Sequence, residues 1–295
     1  MKRSYIDVIV VTKNRHPKLL KCVRHICLNS IKPSSLIIID SGAYKKAATD
    51  KITSLCKNSG VPLKYFRIPH RGVGFSRNEG LKKVESFYFA FLDDDEYAPK
   101  YWLENIFKVF RKLRNIQVLA GPKIPQDRRN YWHRVWRSLT QYEYDYEGEV
   151  DTIPSGNSIY LTSFIKKHNL RYDSRFKQCS EDQAFSLELR KKKANIYFHK
   201  SVWVKHDLRR DFASFIKQWF FYGMNKFLYH QLYLGSGSVI EPRKIGRTLR
   251  NLKSTFPYKG NLSSVYVWPG LVLLNCVFLV GFLYSFLGLN KIYPF

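Results

Sequence analysis

The sequence predicts an α/β fold: a mostly parallel sheet flanked by helices, followed by an apolar helical segment that associates with a membrane. Three observations carry this reading. Short apolar runs, Ile6 to Val11, Leu36 to Ile39 and Phe87 to Leu92, alternate with stretches whose apolar residues recur at helical spacing. Such runs suit a parallel sheet, whose strands are covered on both faces. Polar and acidic residues collect where the runs end, at the carboxyl rim where open α/β sheets place their ligands. Finally, Gly260 to Asn290 holds no charged side chain, a length that can cross a bilayer core as a helix.

The elements follow in order. Ile6 to Val11 is the first strand, and Thr12-Lys13-Asn14-Arg15-His16-Pro17 is the loop after it. Proline suits the first turn of the helix that comes next, whose stripe is Leu19, Leu20, Val23, Ile26 and Cys27. Leu36 to Ile39 is a second strand, closing at Asp40-Ser41-Gly42. A helix through Ile52, Leu55 and Cys56 ends by Gly60, and Leu63 to Phe66 is a third strand. This alternation requires right-handed crossovers between parallel strands. A helix starting near Phe75 offers free N–H groups to phosphate. Gly72-Val73-Gly74 is not a dinucleotide fingerprint, because its third glycine is misplaced and it follows the third strand.

Phe87 to Leu92 then runs into Asp93-Asp94-Asp95. Three adjacent carboxylates repel one another unless a cation neutralises them. Magnesium takes one or two carboxylates and fills its shell with water and substrate phosphates. A solvated acidic turn would read the same in isolation. Pro99 to Asn115 is a helix buried through Trp102, Leu103, Ile106, Phe107, Phe110 and Leu113. Ile116 to Gly121 is another strand, whereas residues 126–148 are dense in Arg, Trp, Tyr and Glu without a clear period. They read as irregular surface, or as a loop over an acceptor or against a membrane. Ile153 to Leu161 is a strand with small residues, Glu181-Asp182 opens a helix, and Val202 to His206 is a strand ending in histidine. Acidic residues in a first helical turn commonly just complement the dipole. Phe212 to Leu234 is an aromatic helix, either core or interfacial.

A net charge of +27 over 295 residues implies an anionic partner: nucleic acid, acidic lipid or a phosphorylated substrate. A hydrophobic content of 45% excludes a disordered chain. The five scattered cysteines show no zinc spacing and read as reduced thiols in a cytoplasmic setting. No signal-peptide pattern precedes the first strand. Arg243, Lys244, Arg247, Arg250, Lys253 and Lys259 come before the apolar segment with no acidic residue after Glu241. That asymmetry sets the main domain on the cytoplasmic side of a cell membrane and draws the basic stretch to anionic headgroups. The expected organisation is a catalytic domain over 1–235, a basic juxtamembrane linker over 236–264 and a membrane-embedded or transmembrane helix over 265–289. A buried hairpin of core helices is the competing account of that last segment.

Four motifs in sequence carry a resemblance. Val10 to Arg15, Ile38 to Gly42, Arg71 to Gly80 and Leu92 to Asp95 resemble the motifs of family 2 glycosyltransferases, which are inverting, nucleotide-sugar-dependent enzymes with a GT-A fold. The resemblance covers roughly residues 5 to 225. Arg71 departs from the family's usual asparagine. The resemblance implies that Thr12, Asn14, Arg15, Asp40, Arg77, Asp93 and Asp94 hold the nucleotide, with Arg15 and Arg77 forked onto its diphosphate. It implies Mg²⁺ or Mn²⁺ on Asp93, Asp95 and His206, and Asp182, beside Glu181, as the general base. A UDP-sugar is the favoured donor, and a lipid-linked or other glycan the acceptor.

Two other accounts compete. Within the class, the sugar could pass to polyprenyl phosphate itself. Outside it, the charge alone would suit a non-catalytic nucleic-acid-binding protein, but the acidic triplet and apolar segment have no role there, so no nucleic acid is expected. A nucleotidyltransferase usually begins with a glycine-rich basic loop, and Thr12 to Pro17 contains no glycine.

Overall fold

The computed structural model describes residues 5–127, 129–140, 146–233 and 266–289. Its described residues divide into two compact units: 5–124, 146–177 and 181–207 in the first, the remainder in the second. The first unit opens as the sequence predicts, with β1 (Ile6–Thr12), α1 (His16–Cys27), β2 (Ser35–Asp40), α2 (Lys46–Asn58), β3 (Leu63–Arg67), α3 (Val73–Leu81) and β4 (Tyr88–Asp93). Here the strand order is β3-β2-β1-β4, all parallel. Successive residues of each strand serve opposite faces. Val8, Val10, Leu36, Ile38, Ala90 and Leu92 share one buried cluster, while Ile9, Ile37, Ile39, Phe89 and Phe91 share another. Burial on both sides explains the uninterrupted apolar runs.

Beyond β4 the elements shorten: β5 (Glu96–Tyr97), α4 (Trp102–Lys112), β6 (Val118–Ala120), β7 (Lys123–Pro125), then, past α5 (Tyr131–Thr140), β8 (Glu147–Glu149), β9 (Ser158–Leu161), α6 (Thr162–Lys167), α7 (Glu181–Lys191), β10 (Ile196–His199) and β11 (Val204–His206). Among the described residues the main sheet has eight strands, β3-β2-β1-β4-β9-β6-β10-β8, and a small sheet runs β5-β11-β7. β9 is antiparallel to both β4 and β6, so the sheet is mostly rather than wholly parallel. Asn157, fully buried just before β9, accepts from Trp102 Nε1 at 2.9 Å and donates to the Val202 carbonyl at 2.7 Å. One side chain thus ties α4 to the approach of β11.

Two expectations change. The helix expected from Pro99 starts only at Trp102 and stops at Lys112. Residues 126–148 are not irregular throughout, since they contain α5 and part of β8. Trp132, Val135, Trp136 and Leu139 stand at helical spacing and face one cluster, a stripe hidden by the density of aromatic and basic residues around it. Asn130 starts α5, its Oδ1 accepting from the N–H groups of Trp132 (2.9 Å) and His133 (3.3 Å).

The second unit also contains α8 (Phe212–Tyr233) and α9 (Trp268–Phe286). These two helices touch at glycine. A Cβ on Gly223 would strike the Phe278 carbonyl, and one on Gly281 the Phe220 carbonyl, so only glycine lets the backbones approach so closely. Among the described residues α9 is the one helix long and apolar enough to cross a membrane, with a mean hydropathy of 1.9. The expected linker over 236–264 lies outside the described residues.

Candidate active site

Strand register gathers the loop residues. Thr12 lies opposite Asp40, and Val11 opposite Asp93, so the ends of β1, β2 and β4 meet at one rim. The three aspartates after this point separate into an inner and an outer set of partners.

Asp93 faces inward. Arg77 Nη2 donates to its Oδ1 at 2.9 Å, and Lys123 Nζ to its Oδ2 at 3.3 Å. Arg77 is itself buried, at 3% exposure, against the Phe91 and Tyr172 rings, and its Nε donates to Glu181 Oε1 at 3.3 Å. One guanidinium therefore joins the acidic turn to the start of α7, from residues 104 positions apart. Burial works against ionising Asp93, but Lys123 and Arg77 outweigh it and hold the carboxyl well below the usual range. Glu181, which also accepts from Ser155 Oγ at 2.8 Å, behaves oppositely: burial, reinforced by Asp182, pushes its carboxyl up to about 7. Asp182 is half-buried beside it, accepts from the Gln183 N–H at 2.8 Å, and is also raised by burial. Glu96, fully buried, completes the inner set through Lys123 at 2.5 Å and the Asp93 N–H at 3.1 Å. Burial raises its carboxyl, against the pull of Lys123.

Gly156 explains the small residues before β9. A Cβ there would meet Asp93 Oδ2 at 2.5 Å, and would also strike the Glu96 carboxylate. In this structure the missing side chain makes room for carboxylates.

Asp94 and Asp95 face the loop after β1. Thr12 Oγ1 donates to Asp94 Oδ2 at 2.7 Å, and Arg15 pairs with Asp94 at 3.0 Å as well as with Asp95. Lys18 lies 3.8 Å and His206 Nε2 3.6 Å from Asp95. Burial pushes Asp94 up to about 7 despite Arg15. For Asp95 burial is outweighed, by His206 first and then Arg15 and Lys18, and the carboxyl stays well below the usual range.

Two residues expected at the donor stand in other pairings here. Arg77, expected on the diphosphate, is buried and shared between the Asp93 and Glu181 carboxylates. Asp93, expected on the metal with Asp95 and His206, is paired with Arg77 and Lys123, whereas Asp95 lies 3.6 Å from His206. No cluster of three or more potential metal-ligating side chains occurs among the described residues. The Asp95–His206 pair alone does fit a divalent cation. Donors 3.6 Å apart can each reach an ion at about 2.1 Å, and such ions take their remaining ligands from water and substrate phosphates.

The other expected nucleotide residues shape the rim. Asn14, with a left-handed φ of 57°, accepts from the Ala43 N–H at 2.7 Å. Asp40 is buried and accepts from Tyr65 Oη at 2.6 Å and the Gly42 N–H at 2.8 Å. Sequence reasoning missed Lys123, Glu96 and Ser155. Glu96, directly after the triplet, carried the one readable signal, a fourth carboxylate in an unbroken acidic run.

The family model described as Glycosyl transferase family 2 matches residues 7–168. An uncharacterized glycosyltransferase of Rickettsia conorii is 30% identical over 95 residues, 32% of this chain and 15% of that protein; the chain thus spans only a small part of this relative. The succinoglycan biosynthesis protein ExoM of Rhizobium meliloti is 24% identical over 220 residues, 71% of this chain and 69% of that protein. Among solved structures, the mannosyltransferase PcManGT of Pyrobaculum calidifontis, in complex with GDP-Man and Mn²⁺, superposes with a TM-score of 0.64 at 11% identity, over 97% of this chain and 88% of that one. S. aureus TarS 1-349 with UDP-GlcNAc gives 0.56 at 17% identity, over 97% and 72%. At these identities the likeness is one of fold.

Proposed function

The chain belongs to glycosyl transferase family 2, and from that premise we propose that it moves a sugar from a nucleoside-diphosphate carrier to an acceptor hydroxyl with inversion. The observation that supports this most is the Arg77 bridge: it joins Asp93 to Glu181 and so brings Asp182, the next residue, to the acidic turn. In this reading the acceptor oxygen attacks the anomeric carbon as the bond to the diphosphate breaks, and its proton passes to the Asp182 carboxylate. Burial raises the proton affinity of Asp182, which suits a base. Arg15, exposed at 42% of its side chain, turns from the carboxylates to the diphosphate, and Thr12, Asn14 and Asp40 hold the loops against which the nucleotide rests. Mg²⁺ or Mn²⁺ on Asp95 and His206 would supply positive charge opposite the departing diphosphate.

The donor in this reading is a nucleotide sugar, by analogy with neighbours solved with UDP-GlcNAc and GDP-Man. The acceptor is a lipid-linked glycan in surface polysaccharide assembly, a proposal supported by the likeness to a succinoglycan biosynthesis protein and by the apolar α9. Residues 1–235 would form the catalytic part on the cytoplasmic side, with 236–264 a basic linker to anionic lipid. The test is incubation of the purified chain with radiolabelled nucleotide sugars and membranes bearing lipid-linked glycans. Metal-dependent label in the glycan supports the proposal. Label only in a mono-glycosylated polyprenyl phosphate would redirect the acceptor, and salt-sensitive nucleic-acid binding without transfer would overturn the function.

A further inference from the structure

The second unit carries a feature that sugar transfer does not use. The exposed side chains in the middle of α9 fall on one stripe: Val272, Leu273, Asn275, Cys276, Leu279, Val280 and Leu283. They recur at the helical period; all but Asn275 are apolar, and its Nδ2 donates to the Leu271 carbonyl of its own helix at 2.7 Å. The opposite side, Gly270, Leu271, Leu274, Gly281 and Ser285, is buried. A helix surrounded by lipid would show no such division.

What covers the buried side decides how α9 can meet a bilayer. Phe215 of α8 shares a cluster with Leu271 and Leu274, Gly223 backs onto Phe278 and Phe282, and Phe227 stacks edge-on with Phe282 and Phe286. Contacts advance together along both helices, so α8 runs beside α9 in the same direction. Yet α8 is not a membrane helix. It carries Lys217, Gln218, Asn225, Lys226, His230 and Gln231 along its length, residues that are costly at bilayer depth. If α9 crossed the bilayer, α8 would be carried in with it.

We propose that α9 lies in the plane of an anionic bilayer, its exposed stripe sunk among the acyl chains and α8 on the aqueous side, rather than crossing it. The lipid partner follows from the chemistry on the page. The stripe carries no charge and is apolar except for Asn275, and the chain before α9 holds six basic residues from Arg243 to Lys259 with no acidic one after Glu241, which suits anionic headgroups. At the first turn of α9, the Gly270 N–H donates to Tyr131 Oη at 2.8 Å, and Tyr131, Trp132, Trp136 and Trp219 crowd against Leu271 and Leu274. Tyrosine and tryptophan of this kind settle at the membrane–water boundary.

The experiment uses the full chain and phosphatidylcholine vesicles with or without phosphatidylglycerol. It needs neither donor nor acceptor, so its outcome is separate from that of the transfer assay. A fluorophore is placed at Val272→Cys, native Cys276 or Leu283→Cys in turn, in a Cys179→Ser background, with Cys276→Ser in the first and last. Lipids bearing shallow or deep nitroxides quench it. An in-plane helix gives equal, shallow quenching at all three sites. A crossing helix separates positions 272 and 283 by about 16 Å of depth, and such a gradient overturns the proposal. The Leu279→Glu/Leu283→Glu variant, altered only on the exposed stripe, is expected to keep its helix content and lose more than about tenfold in vesicle affinity. Unchanged affinity, or a soluble dimer that this variant dissolves in place of vesicle binding, would also overturn it.

Discussion

The inner and outer halves of the acidic turn hold the same chemical groups in contrasting ways. Asp93 is paired with Arg77 and Lys123, whose side chains are 4% and 13% exposed. Asp95 is paired with Arg15 and Lys18, at 42% and 31%. Buried cations cannot leave without stranding a charge in a poorly solvated place, whereas half-exposed ones exchange readily with water, a metal ion or a phosphate. Consecutive aspartates thus divide into one that holds the site together and one that can be handed to a substrate. The half-exposed partners also leave Asp95, 3.6 Å from His206, more open to a cation than Asp93.

Four perturbations break or sharpen the contrast, taken from the largest effect downward. Asp182→Asn keeps the inner scaffold and removes the proposed base. Turnover should fall by about 10²–10⁴ while nucleotide binding, read by calorimetry, survives. Near-normal turnover would remove Asp182 from the chemistry. Arg77→Met leaves Asp93 and Glu181 without their shared cation and should cost about 3–5 kcal/mol in chemical denaturation. If it costs no more than a surface substitution, the inner half is not the scaffold claimed here.

The third perturbation is pH. Glu181 titrates near 7 in the fold against an ordinary 4.5. Between these values the folded state holds a proton that the unfolded state has lost, so this group's contribution to stability falls as pH rises from about 4.5 through 7. Asp94, also raised to about 7, adds the same sign. Asp93 and Asp95, both depressed, act only in acid, where their stabilisation is lost as pH drops below their ordinary 3.8. Glu181→Gln should flatten the decline by up to about 1.4 kcal/mol per pH unit, measured as melting temperature against pH beside the parent. An unaltered slope would mean that Glu181 is ionised throughout. The smallest effect belongs to Arg15→Ala: less than about 1 kcal/mol in stability, with a clear loss of nucleoside-diphosphate affinity. Equal losses for Arg15 and Arg77 in denaturation would erase the distinction between the halves.

Legibility in the sequence followed the same division between large and small signals. The strands β1 to β4 were readable because burial on both faces leaves unbroken apolar runs, and Asp93 to Asp95 stood out as their abrupt end. The acidic pair at the start of α7 was readable as well. β5, β7, β8 and β10, strands of two to four residues, are too short to show a period, which hid β7 and with it Lys123. Arg77 was visible as a residue but not as a buried one. Arginine is ordinarily a surface side chain, and only the fold shows it packed against the Phe91 and Tyr172 rings with two carboxylates to neutralise it. Charge partners across 16 and 104 residues leave no local pattern to read.

The most direct test is Mn²⁺ binding in the presence of UDP, followed by electron paramagnetic resonance. The account predicts that Asp95→Asn and His206→Ala weaken bound Mn²⁺ strongly, whereas Asp93→Asn lowers stability first and leaves the folded fraction's affinity nearly intact. Loss of Mn²⁺ with Asp93→Asn equal to that with Asp95→Asn, in protein shown to be folded, would contradict the division of the turn into a fixed half and an exchangeable one.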